Sequence, residues 1–262
     1  MPRIVIKVGS AVLTEKNQIA KERMLNLVTL IANLRSKYKV ILVTSGAVAA
    51  GYSALKLDKR KQIGKKALAA AGQPILMTSY KKKFDIYEID TAQILLTEDD
   101  FDSRKRTKMF QEIINAHLAN DILPIINEND ISSTPEQLFG DNDQLSANVA
   151  CATEANLLVI LSDIDGYYDK NPKENTDAKI RKIVHTISQE ELSNASTPND
   201  PFATGGIVTK LKAADFLMNK GKRMLLCSGF DLSAAESFLL RDDHALGTLF
   251  VPEIECSRPD MD

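Results

Sequence analysis

Short apolar runs rich in β-branched residues alternate along the chain with longer stretches whose apolar positions recur at helical spacing. The runs at 3–8, 40–44, 91–96, 122–126, 157–161 and 224–227 are expected to be buried strands. Between them, Met24, Leu27, Val28, Ile31 and Leu34 share one helical face, as do Leu211, Ala214, Leu217 and Met218. This alternation predicts an α/β fold, a mainly parallel sheet with helices on both faces. The stretch 166–187 breaks the rhythm. Tyr167, Tyr168, the Asn171-Pro172 turn signal and two short alternating segments around a polar middle predict a hairpin or flap attached to the sheet. The polar residues after Pro252 divide the chain into a domain, 1–252, and a loose tail, 253–262.

With 262 residues, 44% of them hydrophobic and 26% charged, the chain can bury a large core, and one domain is expected. Its 33 basic and 35 acidic residues are mixed, giving a net charge of −2, so no long-range field would gather nucleic acid or an anionic membrane. Basic clusters at 59–66 and 81–83 sit beside apolar residues at helical spacing and are expected as solvated helix faces, phosphate contact being the lesser reading. Cys151, Cys227 and Cys256 are widely spaced and form no CxxC pair, so neither a disulfide framework nor a zinc site is expected. His117, His185 and His244 are isolated and are read as helix or loop residues rather than metal ligands. The first apolar run is too short for a signal peptide, and no apolar stretch reaches membrane-spanning length, so the expected location is cytoplasmic.

In an open parallel sheet ligands collect beyond the carboxyl ends of the strands, which directs attention to the loops that follow each run. After the first come Lys7, Val8, Gly9 and Ser10. A lysine at the end of a buried strand either meets an anion or snorkels to solvent, since an unpaired buried ammonium is costly. Gly9 allows close backbone approach, and Ser10 offers a hydroxyl. After the second run, the small residues from Thr44 to Gly51 enter a helix. They either expose its first amides to an anion or permit close packing on the sheet.

After the fourth run, Asn127, Glu128, Asn129 and Asp130 are followed at short distance by Gly140, Asp141, Asn142 and Asp143. These clusters supply partners for the ammonium and carboxylate of an amino acid, and an acid able to orient a lysine; Asn and Asp are also ordinary turn formers, and Asp143 could cap a helix. Ser162 and Asp163 end the fifth run, where a nucleotide's base or ribose could rest. The sharpest feature is Thr204, Gly205, Gly206, Ile207, Val208, Thr209 and Lys210: two glycines open a helix whose first turn bears a hydroxyl and a positive charge, a cradle for polyphosphate. GxxxxGK[ST], GxGxxG, HRD/DFG and GxSxG are all absent, which removes P-loop kinases, Rossmann dehydrogenases, protein kinases and α/β-hydrolases.

Taken in order, Ile6-Lys7-Val8-Gly9-Ser10, the Val43–Gly51 block, NEND, GDNDQLSA and TGGIVTKLKAA resemble the amino-acid kinase family. The resemblance runs from Lys7 to Phe250, and within the family it points to members that phosphorylate the side-chain carboxylate of free L-glutamate with ATP. It implies a three-layer αβα sandwich around a mainly parallel sheet. It implies contact of Lys7 and Lys210 with ATP phosphates, with Asp143 orienting both lysines. The nucleotide is then held by Ser162, Asp163 and the 204–210 loop, and the acceptor by Ser45, Asp130 and Asn142, with Asn127 and Asp141 as neighbours. Mg²⁺ is expected through phosphates and water rather than a protein metal site. A homo-oligomer, dimer or tetramer, is implied, and transient contact with a reductase that consumes the product. Many bacterial members continue into a C-terminal PUA domain, whereas this sequence stops soon after Phe250; catalysis is expected to survive that difference.

Overall fold

The computed structural model describes residues 1–58, 60–132, 142–193 and 206–253. Asp141, Thr204, Gly205, Lys59, Cys256 and all of the tail but Glu253 lie outside the described residues. In chain order the elements are β1 (Arg3–Val8), α1 (Ser10–Leu13), β2 (Thr14–Glu15), β3 (Gln18–Ile19), α2 (Lys21–Leu34), β4 (Lys39–Val43), α3 (Ala47–Ala54) and α4 (Gln62–Phe84). Next come β5 (Thr91–Leu96), α5 (Asp99–Asp102), α6 (Arg104–Ala119), β6 (Leu123–Glu128), α7 (Asn142–Ala152), β7 (Leu157–Ser162) and β8 (Ile183–Val184). The chain closes with α8 (Gln189–Ser193), α9 (Ile207–Met218), β9 (Arg223–Ser228), α10 (Ser233–Arg241) and β10 (Thr248–Phe250).

Eight strands form one sheet in the order β5-β6-β4-β1-β7-β9-β10-β8. All neighbours are parallel except β9 and β10, which are antiparallel. Side chains alternate between the two faces of each strand, and this parity sorts the core into two layers. Ile4, Ile6, Leu42, Ile125 and Val159 pack under α2, α4 and α10. Val5, Ile41, Val43, Ile126 and Ile160 pack under α6, α7 and α9. The same parity sends Lys7, two residues beyond Val5, to the α7/α9 face, and Asn127, two beyond Ile125, to the α4 face.

The chain leaves β1 toward β4 on one side and returns to pair with β7 on the other. β1 is therefore a topological switch point, and a crevice opens beyond the carboxyl ends of β4, β1 and β7. The predicted flap is present as a hairpin-like excursion: Tyr168 bridges Ile180 in antiparallel fashion, and Asp169 N donates to Lys179 O at 3.0 Å. It returns into the sheet as β8, paired to β10. Tyr167 stacks on Phe250 and carries Arg181 on its ring, and both side chains bond Glu191 of α8.

α3 and α4 cross at two glycines. A Cβ on Gly72 would stand 1.8 Å from Ala47 O, and one on Gly51 would stand 1.9 Å from Leu68 O. The small residues after β4 thus serve close packing, against a helix rather than the sheet as expected from sequence.

Candidate active site

Three elements deliver charge to the crevice. Lys7 is the penultimate residue of β1, in the middle of the sheet between Val43 and Ile160. Asp143 is the second residue of α7, and Lys210 lies in the first turn of α9 behind Gly206. The Asp143 carboxylate accepts from Lys7 Nζ at 2.5 Å through Oδ1. Its Oδ2 accepts from Lys210 Nζ at 3.1 Å and from the Thr209 hydroxyl at 3.0 Å. Asp143 is fully buried and the lysines are 3% and 4% exposed. Two ammonium groups thus share one carboxylate in a low-dielectric corner beside two helix N-termini. Such a corner attracts a multiply charged anion, and phosphates suit it. Gly206 O accepts both N–H and O–H of Thr209, which closes the first turn of α9.

A second, uncharged cluster lies on the β4/β6 side. Asn142 Nδ2 faces three acceptors, Thr44 O (2.5 Å), Ser45 Oγ (2.9 Å) and Asn127 Oδ1 (2.9 Å), which share its two protons. Its two protons are consumed by protein acceptors, so Oδ1 is what Asn142 can offer a ligand. Ser45 Oγ accepts there and keeps its own proton to donate. Gly46 follows at φ 101°, a left-handed conformation that suits glycine, and turns the chain so that α3 starts at Ala47. Asp130 is half-buried one loop further on. Burial lifts its carboxyl above the ordinary value, while Lys65 and Lys66 pull it down. Lys66 also donates to Ile131 O at 3.1 Å, so this member of the basic cluster bends toward the site, while Lys65 stays in solvent as expected.

The remaining sequence candidates fall as follows. Ser162 is buried at the end of β7, and its hydroxyl donates to the exposed Asp163 at 2.9 Å. Ile207 and Val208 are half-buried in the first turn of α9. Ser10 is exposed in α1, and Gly9 N donates to Leu161 O. Sequence motifs did not single out Gln73 and Tyr80 of α4. Gln73 Oε1 accepts from Asn127 Nδ2 at 2.9 Å, and Tyr80 OH pairs with Thr44 Oγ1 at 2.8 Å. The signal that could have found them is their position on one face of a long helix, seven residues apart. Among the described residues no group of three or more His, Cys, Asp or Glu side chains could hold a metal ion.

A paired-lysine corner beside a polar pocket, at the switch point of such a sheet, suits phosphoryl transfer, and the chain belongs to the amino acid kinase family, whose model matches residues 2–228. Within it the chain groups with glutamate 5-kinases. It is 56% identical over 256 residues to the Glutamate 5-kinase of Wolinella succinogenes, covering 96% of this chain and 98% of that one. It is 52% identical over 252 residues to the Glutamate 5-kinase of Leishmania donovani, covering 96% of each. Among solved structures, T. acidophilum isopentenyl phosphate kinase aligns over 95% of this chain and 99% of its own, with a TM-score of 0.65 at 14% identity. UMP kinase from Ureaplasma parvum aligns over 95% and 98%, with a TM-score of 0.62 at 15% identity. These likenesses establish the αβα fold.

Proposed function

We propose that this chain transfers the γ-phosphoryl group of ATP to the γ-carboxylate of L-glutamate, giving γ-glutamyl phosphate, the first step of proline biosynthesis. The observation that carries the reading is the buried Lys7–Asp143–Lys210 trio at the switch point, in a sequence that groups with glutamate 5-kinases.

A free side-chain carboxylate has a pKa of about 4.3, so the acceptor is already an ionised nucleophile at neutral pH and needs no general base. Its oxygen attacks the γ-phosphorus, the bond from that phosphorus to the bridging oxygen breaks, and ADP leaves. The protein's task is to bring two anions together and to stabilise charge on the transferring group. Lys7 and Lys210 flank that group, and Asp143 sets the spacing of their ammonium ends. Thr204, Gly205, Gly206, Ile207, Val208 and Thr209 cradle the β-phosphate side, and Ser162 and Asp163 receive the nucleoside. On the acceptor side, Asp130 and Asn142 Oδ1 take the ammonium, and Ser45 with the first amides of α3 takes the α-carboxylate.

The donor set contains no three-ligand metal cluster among the described residues, which fits Mg²⁺ held by phosphates and water. When bound it neutralises phosphate charge. No described helix is long and apolar enough to cross a membrane; a cytoplasmic location belongs to the proposed reading. Assembly as a dimer or tetramer belongs to the same reading, with light scattering as its test. The acyl phosphate product carries its own α-amine within reach of a five-membered ring closure. That reactivity favours transient contact with the reductase that consumes it.

The deciding experiment measures ADP release with Mg-ATP and glutamate, aspartate, N-acetylglutamate or UMP, with hydroxylamine present to trap acyl phosphate. Hydroxamate formed with glutamate alone is expected. Turnover of UMP without hydroxamate would keep the fold and overturn the acceptor.

A further inference from the structure

One face of α4 carries Lys66, Gln73 and Tyr80 at seven-residue spacing, and each touches the acceptor end of the sheet, at Ile131 O, Asn127 and Thr44 respectively. The central contact has a direction that can be worked out from partners with no choice of role. Glu128 N is a backbone donor, and it donates to Asn127 Oδ1 at 2.9 Å. Asn127 Nδ2 therefore faces Gln73 and requires an acceptor, so Gln73 presents Oε1 and turns Nε2 toward Gln93 Oε1, 3.2 Å away on the edge strand β5. Asn142 is oriented independently, because Thr44 O can only accept. Its Nδ2 meets Asn127 Oδ1 with matching polarity only while Asn127 keeps this flip.

We propose that Gln73 is a positioning residue for the acceptor substrate: it anchors the Asn127 amide, whose oxygen holds Asn142 Nδ2 alongside Thr44 O, and so steadies the Asn142 oxygen toward the substrate's ammonium. Without an acceptor at position 73 the Asn127 nitrogen is left buried and unmatched, and since a flip would set it against two donors, Glu128 N and Asn142 Nδ2, the amide shifts off these contacts and Asn142 loses one of its acceptors. The proposal rests on the reading of Asn142 as an acceptor-binding residue. It adds a residue from the far side of the sheet, with Gln93 behind it, to the determinants of glutamate affinity.

Two substitutions in the full-length protein separate chemistry from shape. Gln73→Met keeps length and volume but removes the acceptor, and is expected to raise the glutamate KM about tenfold, the effect of one unmade buried hydrogen bond. Its kcat and ATP KM should stay within about twofold, since Gln73 touches none of the donor-side groups. Gln73→Glu retains an oxygen opposite Asn127 Nδ2 and should hold the glutamate KM within about threefold. A packing role predicts the reverse order, with Met tolerated and Glu not. Native KM in Gln73→Met, equal losses in both variants, or a loss shared by the ATP KM would each overturn the proposal. If the native enzyme makes no hydroxamate with glutamate, the acceptor reading fails by itself, and the same pair of variants is then read on whichever acceptor is turned over.

Discussion

Replacing Asp143 by Asn keeps the shape of the side chain and removes one negative charge from between Lys7 and Lys210. Both ammonium groups stay buried, at 3% and 4% exposure, with a neutral partner in place of their shared carboxylate. Removing one member of a buried ion pair costs about 3–5 kcal/mol, and here the one carboxylate is shared by two ammonium groups. The single-pair figure is the expected scale for the ligand-free protein. At about 2–4 °C per kcal/mol for a chain near this size, the melting temperature should fall by roughly 6–20 °C. Mg-ATP brings phosphate charge to the same corner, so it should raise the melting temperature of Asp143→Asn at least as much as it raises that of the native protein. The lysines lose their fixed spacing, and kcat should drop on the order of 10² or more while the glutamate KM changes little. Differential scanning calorimetry with and without Mg-ATP, together with the hydroxamate assay, reads all three effects. A ligand-free melting temperature within 2 °C of native, set against an expected fall of roughly 6 °C or more, would refute the electrostatic account of the trio. An unchanged kcat would refute the positioning role of Asp143.

Asp130→Asn should raise the glutamate KM by about tenfold or more through loss of a charge-assisted partner for the ammonium. Half-burial raises the Asp130 pKa, against the pull of Lys65 and Lys66, so the folded state binds this proton more tightly than the unfolded chain does. Its ionised form therefore costs stability above the folded pKa, and the cost disappears as pH falls through it. Asp130→Asn should accordingly melt slightly higher than native at pH 7 and equal to it at low pH; a variant less stable at pH 7 would contradict this. Gly72→Ala would drive a methyl to 1.8 Å from Ala47 O and 2.3 Å from Gly51 N, forcing α3 and α4 apart at a cost above the usual ~1–3 kcal/mol of overpacking. A melting temperature near native would show that the glycine crossing is not needed.

The strands at 3–8 and 91–96 have the bounds that their apolar runs predict, yet 122–126 continues in the structure through Asn127 and Glu128, and 157–161 through Ser162. Apolar periodicity stops where polarity begins, whereas parallel pairing continues. Asn127 and Glu128 still match Leu95 and Leu96 across the sheet, and Ser162 matches Ser228. Polar residues that read as loop chemistry therefore sit on rigid strand ends. The turn at Lys16 and Asn17, both at positive φ, and the short strand β10 carry too few residues for a periodic signal. Lys7, Asp143 and Lys210 were legible as a set through the family resemblance of the motifs that carry them, and the structure brings the three together. Gln73 and Tyr80 were not, because their roles come from how α4 docks on β6 and the end of β4, and a shared helix face does not say what that face will meet.

The strand order gives the protein a modular inheritance. On the proposed reading, acceptor groups come from beyond β4 and β6, donor groups from beyond β7 and the start of α9, and β1 alone stands between them with Lys7. Mutations that retune what is phosphorylated can accumulate in 44–73 and 127–142 while the machinery that handles ATP stays as it is. The same partition offers a route to engineering: exchange the left half of the crevice, keep the right, and the fold becomes a chassis for new acceptors.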